Sequence, residues 1–411
     1  MHRRRMVWAK QLVLLLLALS STSLFEFVAS LNGTIFPPDF VFGTTSSSYQ
    51  EQHMKEGRAQ AYGILSPIDF QEDVGIMKDI GFNAYRFSIS WPRILPKGNL
   101  KGGLNPEGIQ YYNNLIDELI SNGLQPFVTL FHWDLPQALE DEYGGFLSPK
   151  IVKDFAQYAE VCFGEYGDRV KHWITFNEPM GYSYMGYANG LFPPGRCSNF
   201  LGLNCSAGDS STEPYLVSHY QILAHAEAVK VYREKYQASQ KGQIGITLNS
   251  IWSIPLSQSN ADKDAASRGI AFMYDWNGVL LGPKAASDWL CIYPPGIQYL
   301  LQYTKEKYNN PIIYITENGV DELNDGTKSL DDKIRIDYIS HHLLYVQRAM
   351  RNGVKVKGYF TWSLLDNFEW INGYTVRFGI VYVDFKDGLK RYHKRSALWF
   401  KHFLKQRNGQ N

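Results

Sequence analysis

The sequence lacks the motifs by which metal ions and nucleotides are most often recognised. Its 411 residues include only four cysteines, with no Cys-x-x-Cys pair, no Walker sequence and no Gly-x-Gly-x-x-Gly run. The 41 basic and 40 acidic residues leave a net charge of +1, so the composition offers no electrostatic case for binding nucleic acid. We therefore expect no cofactor, no metal ion and no nucleic-acid partner.

Long hydrophobic runs are also missing, except near the N-terminus. Three arginines at positions 3–5 precede an apolar run from Leu12 to Leu19, and small residues follow up to Ser30. This order is typical of a secretory signal peptide. A membrane span is the alternative, but the apolar run is shorter than a bilayer crossing requires. We predict that residues 1–30 are a signal peptide and that no membrane association persists after cleavage.

A secretory route gives meaning to two other features of the chain. Asn32 and Asn204 each begin an Asn-x-Ser/Thr triplet, the acceptor sequence for N-glycosylation. Cys197 and Cys205 lie close together in a stretch rich in glycine, serine and asparagine. In an oxidising compartment, such a pair favours a disulfide that closes a loop.

Two stretches of the chain combine an apolar strand with a glutamate at its end. Glu317 follows the strand within Ile312–Gly319, and Glu178 follows the strand within His172–Pro179. In parallel α/β folds, side chains at the carboxyl ends of strands meet at the ligand site. The alternative is that each glutamate caps the helix that follows it. Because other strands of this chain also end in polar groups, we favour a catalytic pair.

Strands and helices alternate without a break in composition, so we expect a single domain over residues 31–411. A TIM (β/α)₈ barrel has eight strands. Between Ser257 and Asn310, however, two helical patterns follow one another with no convincing strand. We therefore predict an α/β barrel of this type that lacks one strand. The seven predicted strands are centred near Val41, Tyr85, Phe127, Ile174, Ile246, Ile313 and Tyr359.

Six segments of the chain together resemble plant β-glucosidases of glycoside hydrolase family 1. They occur in the order found in that family and span nearly all of the mature chain. The resemblance implies a (β/α)₈ barrel that hydrolyses β-glucosides with retention of configuration. From the predicted signal peptide we expect the chain to enter the secretory pathway and to reach the apoplast or a vacuole. The segments are Phe40–Gln50, Tyr85–Trp91, Phe131–Pro136, Thr175–Pro179, Tyr314–Gly319 and Trp362–Trp370.

The resemblance also implies a role for each matching residue. Glu317 would be the nucleophile and Glu178 the general acid/base, which requires their carboxyl groups to lie about 5–5.5 Å apart. Arg86 would orient Glu317, and Asn177 would bind the sugar 2-hydroxyl. The remaining sugar contacts would come from Gln50, His132, Trp362, Glu369 and Trp370.

The sequence departs from the family pattern in two places. The stretch Glu51–Ser66 is shorter than the first βα loop of the family. The sixth strand of the family, with the tyrosine that bonds the nucleophile, has no counterpart between Trp276 and Trp289. Strand number, tilt and stagger are linked in a barrel. Either the strands on the two sides of the deletion pair directly in a smaller barrel, or the barrel is open.

Three functional hypotheses follow. The first is a secreted retaining β-glucosidase, which the surviving carboxylates and sugar contacts favour. The second is a weak or inactive deletion variant that at most binds sugars, which the missing strand favours. The third is transfer of glucose to an acceptor other than water, which uses the same glutamates. The sequence carries no indication of the aglycone or of the oligomeric state.

Overall fold

Parallel strands form the centre of the computed structural model, which describes residues 33–56, 69–272 and 282–408. Within these ranges there are eleven strands, and seven of them make up the central sheet. The strands are β1 Val41–Thr45, β2 Ala84–Ser88, β3 Gln125–Phe131, β4 His172–Asn177, β5 Gln243–Thr247, β6 Ile313–Asn318, β7 Glu322–Leu323, β8 Val356–Thr361, β9 Val376–Arg377, β10 Val381–Asp384 and β11 Lys390–His393.

The central sheet runs in the order β5-β4-β3-β2-β1-β8-β6, and every pairing within it is parallel. All seven strands predicted from the sequence are present. The sheet curls into a nearly closed barrel. The ring centroid of Phe127 on β3 lies 5.3 Å from that of Tyr314 on β6 and 4.8 Å from that of Phe360 on β8. These rings belong to strands that are not neighbours in the sheet, so they must meet across the interior.

Helices follow most of the barrel strands and cover the outside of the sheet. The α-helices are α1 Ser48–Glu56, α2 Asp69–Ile80, α3 Trp91–Ile94, α4 Pro106–Ser121, α5 Gln137–Tyr143, α6 Lys150–Tyr166, α7 Pro179–Tyr187, α8 Glu213–Val231, α9 Gln237–Gln240, α10 Asn260–Phe272, α11 Pro295–Lys307, α12 Lys333–Arg351 and α13 Arg395–Asn408. Short 3₁₀ turns occur at Gly33–Ile35, Leu100–Gly102, Gly145–Leu147, Asn199–Leu201 and Trp370–Asn372, and a π turn at Tyr232–Tyr236 joins α8 to α9.

Helix α4 shows how the local sequence determines an element. The Asn105 side chain accepts a hydrogen bond from the Glu107 amide, and Pro106 occupies the first turn, where a missing amide hydrogen costs nothing. The residues at helical spacing on its inner face, Tyr112, Leu115, Ile116 and Leu119, are buried against the barrel. The helix ends before Gly123, which adopts a left-handed conformation with φ +78°.

Two helices have starts that depend on tertiary structure. The last helix, α13, begins at Arg395, because the preceding Lys390–His393 pairs antiparallel with Val381–Asp384. The polar stretch after β1 turns into helix α1.

The barrel is open between β5 and β6, and we call this opening the seam. Among the described residues no ladder joins the two strands, so the open alternative is confirmed. β2 is buried along its whole length, whereas β6 is only half-buried and β5 is largely accessible. Leu248 and Ile312, next to the seam, are 58% and 52% exposed. These two edges lie where the deletion removed the strand that would have paired with both.

Several predictions concern residues outside the described ranges. The signal peptide, Asn32 and most of the stretch Glu51–Ser66 lie there, as does Trp276. The assignment of residues 31–411 to a single domain stays a prediction. Within the ranges that are described, no helix combines the length and apolarity that a membrane crossing needs.

We expect hydrogen–deuterium exchange to reveal the seam. Backbone amides on the free edges of β5 and β6 should exchange faster than those of β2 and β3, which are paired on both sides. Mass spectrometry of peptides that cover each strand measures this. Equal protection of all four strands would mean that the seam is covered in solution.

Candidate active site

A buried guanidinium, that of Arg86, lies at the centre of the candidate site. Arg86, at the middle of β2, is fully buried. Its Nη1 forms an ion pair with Glu317 and lies 3.3 Å from the Thr45 hydroxyl, while its Nη2 donates to Asn177 Oδ1 at 2.6 Å. Its Nε donates to the Thr129 hydroxyl at 3.1 Å. One side chain therefore links β2 to β1, β3, β4 and β6.

Glu178 follows β4 and precedes helix α7. Its φ of +42° is unusual for a residue other than glycine, and its side chain makes no capping hydrogen bond to the helix. The structure thus does not support the capping alternative for this residue. Burial, and next the charge of Glu317, raise the pKa of Glu178 to about 8, although Arg86 acts in the opposite direction.

Glu317 lies in β6, and its carboxylate is paired with Arg86. The next α-helix among the described residues begins only at Lys333, so Glu317 does not cap one either. The two glutamates therefore have different surroundings. One carboxyl group keeps its proton at neutral pH, while the other faces a permanent cation.

A chain of hydrogen bonds leads from Arg86 to His132. Because Asn177 Oδ1 accepts from Arg86, the Asn177 Nδ2 donates to His132 Nε2, at 3.1 Å. Burial, with a smaller contribution from Arg86, lowers the pKa of His132 well below its usual value, so the ring is neutral. Its buried Nδ1 has no hydrogen-bond partner among the described residues.

The loop after β8 brings a third carboxyl group, that of Glu369, toward the site. Trp362 Nε1 donates to Glu369 at 3.1 Å. Burial raises the pKa of Glu369 to about 8, and Glu317 contributes in the same direction. Gln50 lies nearby: its Nε2 donates to the Phe368 carbonyl at 2.9 Å, and its Oε1 accepts from the Ser47 hydroxyl.

Trp370 belongs to an aromatic group that only the structure reveals. The Tyr49 ring stacks on the Trp370 ring, with their centroids 5.3 Å apart. The ring centroids of Trp133 and Phe192 lie 4.7 and 5.4 Å from that of Trp370. Trp133 also donates to the Asn177 carbonyl at 2.9 Å. The sequence singled out Trp370 alone. Trp133 could have been found because it follows His132 at a strand end, but nothing in the sequence around Phe192 marks it.

The predicted disulfide is present in the loop that follows α7. Cys197 and Cys205 are bonded, with their Cα atoms 5.5 Å apart. Asn204, exposed and directly before Cys205, belongs to the same loop. Arg196 pairs with Glu213 at the start of α8, at 2.6 Å, which holds this loop against the barrel.

Residues on both sides of the deletion also contribute contacts that sequence reasoning missed. Thr247, the last residue of β5, faces Thr316 of β6 with their hydroxyl oxygens 3.1 Å apart. Ser287, in the segment after the deletion, donates to the buried carboxylate of Asp321 through its amide, at 3.0 Å, and through its hydroxyl. Neither contact could be anticipated from the sequence, because each joins residues that are more than 30 positions apart in the chain.

No cluster of three or more histidine, cysteine, aspartate or glutamate side chains suited to a metal ion occurs in the part of the chain that the structure describes. The site consists of carboxyl groups, amides, an imidazole and aromatic rings. These groups can donate protons, accept them and bind hydroxyl groups.

Comparison with known proteins links this chain to an established family. The glycosyl hydrolase family 1 model matches residues 51–282 and 278–409. Beta-glucosidase 24 of Oryza sativa subsp. japonica is 49% identical over 470 residues, covering 90% of this chain and 93% of the relative. Beta-glucosidase 13 of Arabidopsis thaliana is 46% identical over 469 residues, covering 90% of this chain and 92% of the relative.

Solved structures show the same likeness. A rice β-glucosidase superposes with a TM-score of 0.84 at 40% identity, covering 91% of this chain and 99% of the rice chain. A β-glucosidase of family 1 from the fungus Humicola insolens, in complex with glucose, gives a TM-score of 0.83 at 32% identity. The match covers 92% of this chain and 99% of the fungal chain.

The comparisons also support the internal deletion. The family match is divided in two at residues 278–282, within the interval where the sixth strand is missing. The alignment with the rice relative spans 470 positions, 59 more than the 411 residues of this chain. At least that many positions of the alignment therefore have no residue from this chain.

The raised pKa of Glu178 predicts how stability depends on pH. The folded state holds a proton that the unfolded chain releases near its ordinary pKa of 4.5, so the free energy of unfolding should fall as pH rises toward about 8. Glu178→Gln should reduce this slope, as measured by urea unfolding at several pH values. The exposed Glu234→Gln is the control and should keep the wild-type slope. Parallel curves for wild type and Glu178→Gln would contradict the prediction.

Proposed function

The chain belongs to glycosyl hydrolase family 1, and on that premise we propose that it is a retaining β-glucosidase. The observation that carries the proposal is the opposite electrostatic setting of two neighbouring carboxyl groups. Arg86 pairs with Glu317, while burial and the Glu317 charge keep a proton on Glu178. A double displacement needs this division between an ionised nucleophile and a protonated acid.

In the first step, the Glu317 carboxylate attacks the anomeric carbon, and the bond to the aglycone oxygen breaks. Glu178 gives its proton to that oxygen, so the aglycone leaves as a neutral alcohol. In the second step, Glu178, now ionised, removes a proton from water, and the resulting oxygen attacks the same carbon. The ester bond to Glu317 breaks, and β-glucose leaves with both carboxyl groups restored.

The surrounding residues suit the binding of a sugar. Asn177 is held by Arg86 and His132, which supports a role for its amide in binding the 2-hydroxyl of the sugar. We propose that His132, Gln50 and Glu369 bind other hydroxyl groups, and that Trp362 and Trp370 offer aromatic surface to the ring. Tyr49 already stacks on Trp370, so only the remainder of that ring is open to a ligand.

Structures of relatives support the covalent route. A variant of the rice β-glucosidase has been captured in a covalent complex with glucose. A covalent glucosyl intermediate is what the double displacement requires of Glu317.

The open seam favours one alternative, a chain that binds sugars but turns them over slowly or not at all. Glu178 and Glu317 lie beside the two edges of the seam, and misplacement by about 1 Å can cost on the order of a hundredfold in rate. Transfer of glucose to an alcohol would use the same two steps with a different acceptor.

Hydrolysis of p-nitrophenyl β-glucoside tests the proposal and separates the roles of the two glutamates. Glu317→Gln should lower kcat by roughly a thousandfold or more, because no covalent intermediate forms. Glu178→Gln should release about one equivalent of p-nitrophenol rapidly and then turn over slowly, because this leaving group needs little protonation whereas the attack of water needs a base.

Glu234→Gln is the matched control and should behave as wild type. A folded wild-type chain that binds glucose but releases no p-nitrophenol would favour the binding alternative. Alkyl glucoside formed in the presence of an alcohol would show transfer.

We further propose that the chain enters the secretory pathway and carries a glycan. Asn204 is exposed, next to a disulfide that suits an oxidising compartment. When the full chain is expressed in plant cells, the mature protein should begin near residue 31. Its mass should fall after enzymatic removal of N-glycans, and by less in Asn32→Gln and Asn204→Gln variants. An intracellular chain that retains residues 1–30 would contradict the proposal.

A further inference from the structure

Thr247 contacts Glu178 directly, and it also contacts Thr316, the residue that precedes Glu317. Its carbonyl oxygen accepts a hydrogen bond from the Glu178 amide at 2.9 Å. Its hydroxyl oxygen lies 3.1 Å from that of Thr316, which directly precedes Glu317. This residue, at the end of β5, therefore joins the backbone of Glu178 to β6 across the seam.

Regular strand pairing does not hold the two glutamates in register. The ladder between β4 and β5 shifts between Ile174 and Asn177, just before Glu178. The ladder between β6 and β8 shifts between Ile315 and Asn318, the interval that contains Thr316 and Glu317. Since no ladder crosses the seam within residues 33–56, 69–272 and 282–408, the separation of the glutamates depends on side-chain contacts.

A pair of hydroxyl groups is well suited to this task. A threonine hydroxyl can both donate and accept, so either residue can supply the hydrogen. Thr247 is only 8% exposed, which limits competition from water. Valine has a similar shape but no hydroxyl, so replacing either threonine by valine removes the bond with little change in packing volume.

We propose that Thr247 and Thr316 form a clasp across the seam that sets the separation of Glu178 and Glu317. In a barrel with its sixth strand missing, this clasp does part of what backbone pairing would otherwise do. Thr247 and Thr316 are thus positioning residues, and their role in catalysis rests on the function proposed above.

The clasp has an electrostatic consequence that can be measured. Among the described residues, Glu317 on β6 and Arg86 on β2 are the charged groups that act on the pKa of Glu178. His132 after β3 and Glu369 after β8 belong to the same site, through hydrogen bonds to Asn177 and Trp362. Of these, Glu317 is the neighbour whose charge raises the pKa of Glu178. If the seam widens, the Glu317 charge moves away and water enters, and both changes favour the ionised form of Glu178.

The test is a titration of Glu178 by carbon-13 NMR of labelled glutamate carboxyl groups, with the signal assigned through Glu178→Gln. Thr247→Val and Thr316→Val should each shift the protonation equilibrium of Glu178 toward the ionised form by roughly tenfold or more. The double variant should shift it no further than either single one, because both remove the same contact. Thr247→Ser keeps the hydroxyl and should retain the wild-type pKa.

Thr361→Val is the matched control. Thr361 is also a fully buried threonine at the end of a barrel strand, but its hydroxyl has no hydrogen-bond partner among the described residues. Its replacement should leave the pKa of Glu178 unchanged. In the p-nitrophenyl β-glucoside assay, Thr247→Val should lower kcat/KM by roughly ten- to a hundredfold, mainly through kcat.

The outcomes separate this inference from the proposed function. An unchanged pKa of Glu178 in folded Thr247→Val and Thr316→Val would overturn the clasp, whether or not wild type is active. A lowered pKa in both variants, with Thr247→Ser and Thr361→Val unchanged, would establish the clasp even if wild type hydrolyses no glucoside. In that case the proposed function fails and the clasp stands. If Thr361→Val lowered the pKa of Glu178 as much as the two clasp variants do, the effect would reflect a general loosening of the barrel. That result would also overturn the clasp.

Discussion

The buried charge of Arg86 is the constraint on which the rest of the site depends. A guanidinium removed from water is stable only where oxygen atoms surround it, and here they come from Thr45, Thr129, Asn177 and Glu317 on four different strands. Removing any one strand from its place would leave the charge poorly compensated. The ion pair with Glu317 thus holds β6 against the remaining barrel even though β6 has lost a neighbour.

The same charge explains why the carboxyl groups of the site are not equivalent. One cation faces Glu317 directly, while Glu178 and Glu369 lie in surroundings that are poor in water and close to the Glu317 charge. Burial, and also the Glu317 charge, raise the pKa of both Glu178 and Glu369 to about 8. Glu178 and Glu317 therefore differ through their surroundings, although both are glutamates.

The barrel keeps most of its core without the sixth strand, because most of its strands retain both of their neighbours. Strands β1 to β4 and β8 keep both of their neighbours, and the rings of Phe127, Tyr314 and Phe360 still meet across the interior. The cost appears at the seam, where Leu248 and Ile312 are exposed and, within the described residues, no ladder pairs the edges of β5 and β6 with each other.

The sequence by itself determined the seven strands, the place of the deletion, the disulfide and the two glutamates as candidates. The pattern of residues within a short stretch of the chain indicates each of them. An apolar run that ends in a carboxylate, or two cysteines eight positions apart, needs no knowledge of distant segments. Only the tertiary structure decided that the barrel stays open, that Phe192 joins Trp370, and that Thr247 meets Thr316. These contacts join residues far apart in the chain, and their formation depends on how the whole sheet curls once a strand is missing.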